Sequence, residues 1–135
     1  MKRIFAMGIF SAILGLFSCN AQSPDNAFKS VEVEEFAKVI ADTTVIRLDV
    51  RTPEEYAEGH IDNAINIDVQ NDSFEKKAVS TLPKNKTIAL YCSSGRRSKN
   101  AAKILSANGY TVVELSSGYN GWKTHPLTPP IKGGE

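Results

Sequence analysis

The sequence is poor in cysteine, with two in 135 residues, Cys19 and Cys92. Two thiols rule out a disulfide framework. Charge of one sign is also lacking, since 16 Lys+Arg face 15 Asp+Glu. A nucleic-acid binder would show a basic excess, so no nucleic-acid partner is expected. No apolar run reaches the roughly 18–20 residues a bilayer-spanning helix needs. No internal repeat is visible. What is there is ordinary for one globular domain, with 41% hydrophobic and 23% charged residues.

The first residues read as a transport segment. Lys2 and Arg3 precede Ile4 to Phe17, fourteen residues without a charge. That is the pattern of a secretory signal, which takes no part in the fold. Its end, Leu16-Phe17-Ser18-Cys19, resembles a bacterial lipobox, with Phe17 where a small or aliphatic residue is usual. The resemblance implies a cut after residue 18, lipid on Cys19, and export with the domain anchored to a membrane in the periplasm. A plain signal-peptidase cut after Ala21 is the rival and would leave a soluble periplasmic protein. Residues 19–27 then read as a polar tether, 28–123 as the domain, and Thr124 to Glu135, with three prolines and two glycines, as a flexible tail. A lipidated Cys19 leaves Cys92 as the one free thiol in an oxidising compartment, which calls for an explanation.

Helical and strand patterns alternate along the domain. Val33, Phe36, Ala37 and Ile40 fall on one helical face. Val45 to Val50 is a β-branched run that reads as a buried strand. Thr52-Pro53-Glu54-Glu55 opens a helix with a capping threonine, a proline at the first turn and a glutamate to close a capping box. Ile65 to Ile67 and Thr87 to Tyr91 read as strands, with a helix from Asp72 to Leu82 between them. Ser98 to Asn108 reads as a helix stopped by Gly109, and Thr111 to Leu115 as a further strand. The alternation predicts an α/β domain with a largely parallel sheet.

Cys92 stands at the end of a predicted strand and just before a helix, where sites collect in open α/β sheets. The segment Ser93-Ser94-Gly95-Arg96-Arg97-Ser98 is rich in small residues, so its N–H groups can turn inward as an anion nest. The helix dipole and two arginines add to the positive field. All three favour the thiolate, which is the nucleophile.

Cys92-Ser93-Ser94-Gly95-Arg96-Arg97-Ser98 resembles the active-site loop of rhodanese domains, Cys-x-x-Gly-x-Arg-Ser. The segment from Asp49-Val50-Arg51 through Gly59-His60-Ile61 to Ala64-Ile65-Asn66-Ile67 is similar to the family's other signature. Leu115-Ser116-Ser117-Gly118-Tyr119-Asn120-Gly121-Trp122 is similar to its closing Gly-Gly-x-x-x-Trp element, with Ser117 at a usual glycine. The resemblance implies a five-stranded parallel sheet with helices on both faces, and a monomer is expected. It also implies a sulfurtransferase that passes sulfane sulfur from a small donor, such as thiosulfate or a persulfide, to a thiol or cyanide through a Cys92 persulfide. Ser93 to Ser98 would hold the terminal sulfur, with Arg97 the stronger candidate of the two arginines for an anion. Asp49 would help to order the loop. No metal or organic cofactor is implied.

His60 and Arg51 are expected to be structural, and Tyr119 and Trp122 to pack the C-terminal segment. One rival is a phosphatase or arsenate reductase on the same fold. Four residues lie between Cys92 and Arg97, a ring sized for one sulfur more than for a tetrahedral phosphate. The other rival is a binding or sulfur-relay module whose donor and acceptor are proteins.

Overall fold

The computed structural model describes residues 28–126. The expected signal segment, Cys19, the tether and most of the tail lie outside the described residues. Ten elements follow in order: β1 (Lys29–Val31), α1 (Val33–Ile40), β2 (Ile46–Asp49), α2 (Pro53–Glu58), β3 (Ile65–Asn66), α3 (Phe74–Thr81), β4 (Ile88–Tyr91), α4 (Arg96–Ala107), β5 (Val112–Leu115) and α5 (Gly118–Thr124). The strands form one sheet in the order β1-β5-β4-β2-β3, and every neighbouring pair is parallel.

Strand β4 is central and buried along its whole length, as a strand covered on both faces must be. Alternation sends Ala89 and Tyr91 to the face covered by α1 and α5, with Phe36, Ile40, Tyr119 and Trp122. Ile88, Leu90 and Cys92 go to the opposite face, against Phe74 and Ala78 of α3 and Ala101 and Leu105 of α4. Each large apolar side chain so buried contributes about 1.5–3 kcal/mol. Phe36 and Trp122 meet edge to face at 6.1 Å, which fixes α5 against α1. The same alternation turns Val112 and Glu114 of β5 toward α4, so a carboxylate lies in the core below the Cys92 loop.

The capping box of α2 forms as the sequence predicts: Glu55 N–H donates to Thr52 Oγ1, and Thr52 N–H donates to Glu55. Three features differ from expectation. Helix α4 begins at Arg96, two residues early, because Gly95 takes a left-handed turn (φ 99°) and donates its N–H to Cys92 Sγ, which stands in for a capping side chain. Strand β1 was not visible as a separate run, since three residues carry no periodicity. Thr124 is the last residue of α5 and not the first of a tail; its hydroxyl donates to the Asn120 carbonyl.

Candidate active site

The candidate nucleophile sits where β4 ends and α4 begins. Its sulfur is fully buried and receives the Gly95 N–H at 3.0 Å; Ser98 Oγ lies at 3.5 Å. Burial pushes the Cys92 thiol up, but hydrogen bonds from Ser98 and the N–H groups of Gly95 and Ser94 outweigh it, and the net is below the ordinary value. The early start of α4 puts Ser98 in its first turn, with both N–H and hydroxyl at the sulfur.

The loop is clamped from behind by the start of α5. Tyr119 N–H donates to the Cys92 carbonyl at 2.7 Å and Asn120 N–H to the Ser93 carbonyl at 3.0 Å. Two glycines allow this approach. A Cβ on Gly95 would lie 2.1 Å from the Ser116 carbonyl oxygen, and one on Gly118 2.4 Å from that of Ser93. Both residues also have positive φ, 99° and 66°.

The arginines divide. Arg97, expected to meet an anion, is engaged by Glu55 through two hydrogen bonds of 2.8 and 3.0 Å, and Ser93 Oγ donates to the same carboxylate. Arg97, with Thr52 and Ser93 in support, holds the Glu55 carboxyl far below the usual carboxylate range. Arg96 is the exposed cation of the loop. Asp49 is fully buried and does accept from an arginine and a backbone N–H, but both belong to Arg51 and not to the Cys92 loop. The expectation that Asp49 orders the loop is corrected accordingly: its reach is indirect. Arg51, buried rather than at a helix edge, donates onward to the Gly59 carbonyl and lies 4.4 Å from the Tyr119 ring centre, and Tyr119 in turn holds Cys92. His60 stacks on Tyr56 at 3.8 Å with Nδ1 at the Tyr56 carbonyl, within its own segment of chain. Among the described residues no three His, Cys, Asp or Glu side chains gather as a metal site.

A profile of the rhodanese-like domain family matches residues 32–125. The chain belongs to that family. The thiosulfate sulfurtransferase PspE of Escherichia coli is 44% identical over 71 residues, 53% of this chain and 67% of that one. A sulfurtransferase of Allochromatium vinosum is 33% identical over 99 residues, covering 72% of this chain and 90% of that one. The crystal structure of a rhodanese-related protein from Thermoplasma volcanium superposes with a TM-score of 0.67 at 28% identity, over 78% of this chain and 98% of the other. The α/β fold and the sulfurtransferase activity expected from the sequence are both borne out.

Beside the loop of this rhodanese domain lies a cleft of about 370 Å³, walled by Arg51, Glu55, Ser93, Tyr119, Asn120 and Lys123 among others. Sequence reasoning missed two carboxylates at the site. Glu55 was read only as a helix cap, although its place three residues after a capping threonine did put it at the carboxyl edge of the sheet. Glu114 carried a weak signal, an acid inside the run Val112-Val113-Glu114-Leu115.

Proposed function

We propose that Cys92 carries the transferred sulfur and that small sulfane-sulfur donors reach it from the cleft. The observation that carries the reading is the set of N–H donors on Cys92 Sγ, those of Ser94, Gly95 and Ser98, in a loop that ends at a helix N-terminus. The thiolate attacks the outer sulfur of thiosulfate. The new Cys92 S–S bond forms as the bond to the sulfonate breaks, and sulfite leaves with the electron pair. The persulfide anion takes up the loop N–H groups. A thiol or cyanide then attacks the terminal sulfur, and the Cys92 thiolate leaves. Two half-reactions through a covalent intermediate give ping-pong kinetics. With Arg97 held by Glu55 and Arg51 by Asp49, Lys123 is the cation of the cleft wall that meets the sulfonate, and Lys123→Ala raises KM for thiosulfate more than that for an uncharged polysulfane donor.

The persulfide is tested by mass spectrometry, as a cyanide-labile adduct of one sulfur atom (about 32 Da) on the peptide containing Cys92. Its absence after incubation with thiosulfate, or unchanged turnover by Cys92→Ser, overturns the role of Cys92. We further propose that the domain works outside the cytoplasm, tethered through lipid on Cys19; the basic start, the uncharged stretch and the lipobox-like Leu16-Phe17-Ser18-Cys19 support this.

A further inference from the structure

Glu114 is a carboxylic side chain with no exposure, placed on β5 between β1 and β4. Its contacts run in one direction. Ser30 of β1 donates its hydroxyl to Oε1 at 2.6 Å, and Ser98 of α4 donates to Oε2 at 2.5 Å. Lys99 Nζ lies 3.4 Å from Oε2 and 3.2 Å from the Gly95 carbonyl. Ser98 is therefore a bridge, with Cys92 Sγ at 3.5 Å on one side and Glu114 on the other.

A hydroxyl has one hydrogen. With that hydrogen on Glu114, Ser98 Oγ can only accept from the Cys92 thiol. Once Cys92 is a thiolate, sulfur and carboxylate compete for the same hydrogen. Ionising Cys92 by release of its proton to solvent would leave two buried anions joined by one hydroxyl, with Lys99 beside Glu114 and Arg97, itself paired with Glu55, near Cys92. Burial makes that costly. A proton moved along the bridge leaves the charge of the pocket unchanged.

We infer that Glu114 is a positioning residue for sulfur transfer, acting through Ser98 as the acceptor of the Cys92 thiol proton. The Cys92 S–H bond breaks as Ser98 Oγ takes that proton, and Ser98 passes its own hydrogen to Glu114 Oε2. The products are a thiolate and a carboxylic acid, and Ser98 now donates to sulfur. Lys99 faces the negative charge where it lies on the carboxylate, and Arg97 faces it where it lies on sulfur. A carboxylate is ordinarily a weaker base than a thiolate; the loop N–H groups at the sulfur and the avoided second anion work against that difference. The inference rests on Cys92 as the sulfur-carrying residue and adds the destination of its proton.

The test is the ultraviolet absorbance of the thiolate against pH in the full chain, read as the difference from Cys92→Ser. The groups that face the pair are Ser30, Ser98 and Lys99 around Glu114, and Arg97 around Cys92. Wild type should titrate in two steps, with a level stretch between them, because two coupled sites share one proton there. Glu114→Gln should titrate in one step, from no thiolate to full thiolate. Ser98→Ala, which spares the contacts of Glu114 to Ser30 and Lys99, should also give one step, at higher pH than Glu114→Gln because the carboxylate charge stays beside the sulfur. A single wild-type step unchanged in Glu114→Gln overturns the inference. So does a two-step curve that survives in Glu114→Gln. Failure of Cys92 as the sulfur carrier would show separately, as sulfur transfer by Cys92→Ser.

Discussion

Arg97 of the Cys92 loop and Glu55 of α2 are joined by two parallel hydrogen bonds across 42 residues of sequence. The pair ties the helix after β2 to the loop after β4, and Ser93 and Thr52 complete it. An arginine that reads in sequence as an anion ligand is thus already satisfied by the protein's own carboxylate.

Glu55→Gln removes both the ion pair and the carboxylate of the capping box. It is expected to lower stability by roughly 1–2 kcal/mol at neutral pH, a figure kept small because the pair is partly exposed and screened. The folded Glu55 carboxyl is held below its ordinary value of 4.5. Its contribution is therefore fully present above that value and is lost as pH falls through the folded one. Urea melts of both proteins should differ by a constant amount from pH 6 to 8, and the gap should close below about pH 4.5. A gap that widens in acid would contradict the assignment.

Asp49→Ala leaves Arg51 buried without its partner. The expected loss is about 3–5 kcal/mol. Asp49→Ala combined with Arg51→Met should recover much of it, because the uncompensated charge is gone; additive losses in the double variant would mean that Asp49 acts on something other than Arg51.

Two glycines with positive φ separate strain from crowding. Gly109 (φ 91°) has open space where a Cβ would lie, so Gly109→Ala should cost only the left-handed penalty, about 1–2 kcal/mol, with sulfur transfer intact. Gly118→Ala drives a Cβ into the Ser93 carbonyl and should cost a further 1–3 kcal/mol or so. Its kcat should fall more than its stability accounts for, since the carbonyl it displaces belongs to the loop. Thermal melts beside steady-state rates make the comparison.

Cys19→Ala should move the protein from the membrane and detergent phase to the soluble fraction, with sulfur transfer unchanged. A wild-type protein that is already soluble and begins at Gln22 would end the lipid-anchor proposal and leave Cys92 untouched.

Much of the fold was legible because its signals are local. The capping box at Thr52 and Glu55 needs four residues, and so does the buried run Ile88 to Tyr91. The loop from Cys92 to Ser98 was legible as a unit because the composition of a nest is local too. Side-chain partners were not. Arg97 meets Glu55, and Ser98 meets Glu114, only after the sheet order brings β2, β4 and β5 together, and no spacing along the chain records that. The partner of Asp49 was not legible for the same reason: the sequence suggests that it faces the Cys92 loop, and it meets Arg51, two residues away. Helix α5 carries two glycines and little periodicity, so its form depends on burying Tyr119 and Trp122.

The clamp behind the loop sorts the polarity of its peptide groups. The Cys92 and Ser93 carbonyls are turned away to the N–H groups of Tyr119 and Asn120, while the N–H groups of Ser94 and Gly95 face the sulfur. Apart from the Ser98 hydroxyl, sulfur is therefore held by main chain, and main chain is blind to side-chain identity. The serines at 93 and 94 can change without emptying the cradle, provided the backbone keeps its path. Donor preference is then free to drift in the walls of the cleft, at Lys123 or Asn120, while the retention of one sulfur atom stays constant. Recognition and custody of the sulfur become separable properties of this domain.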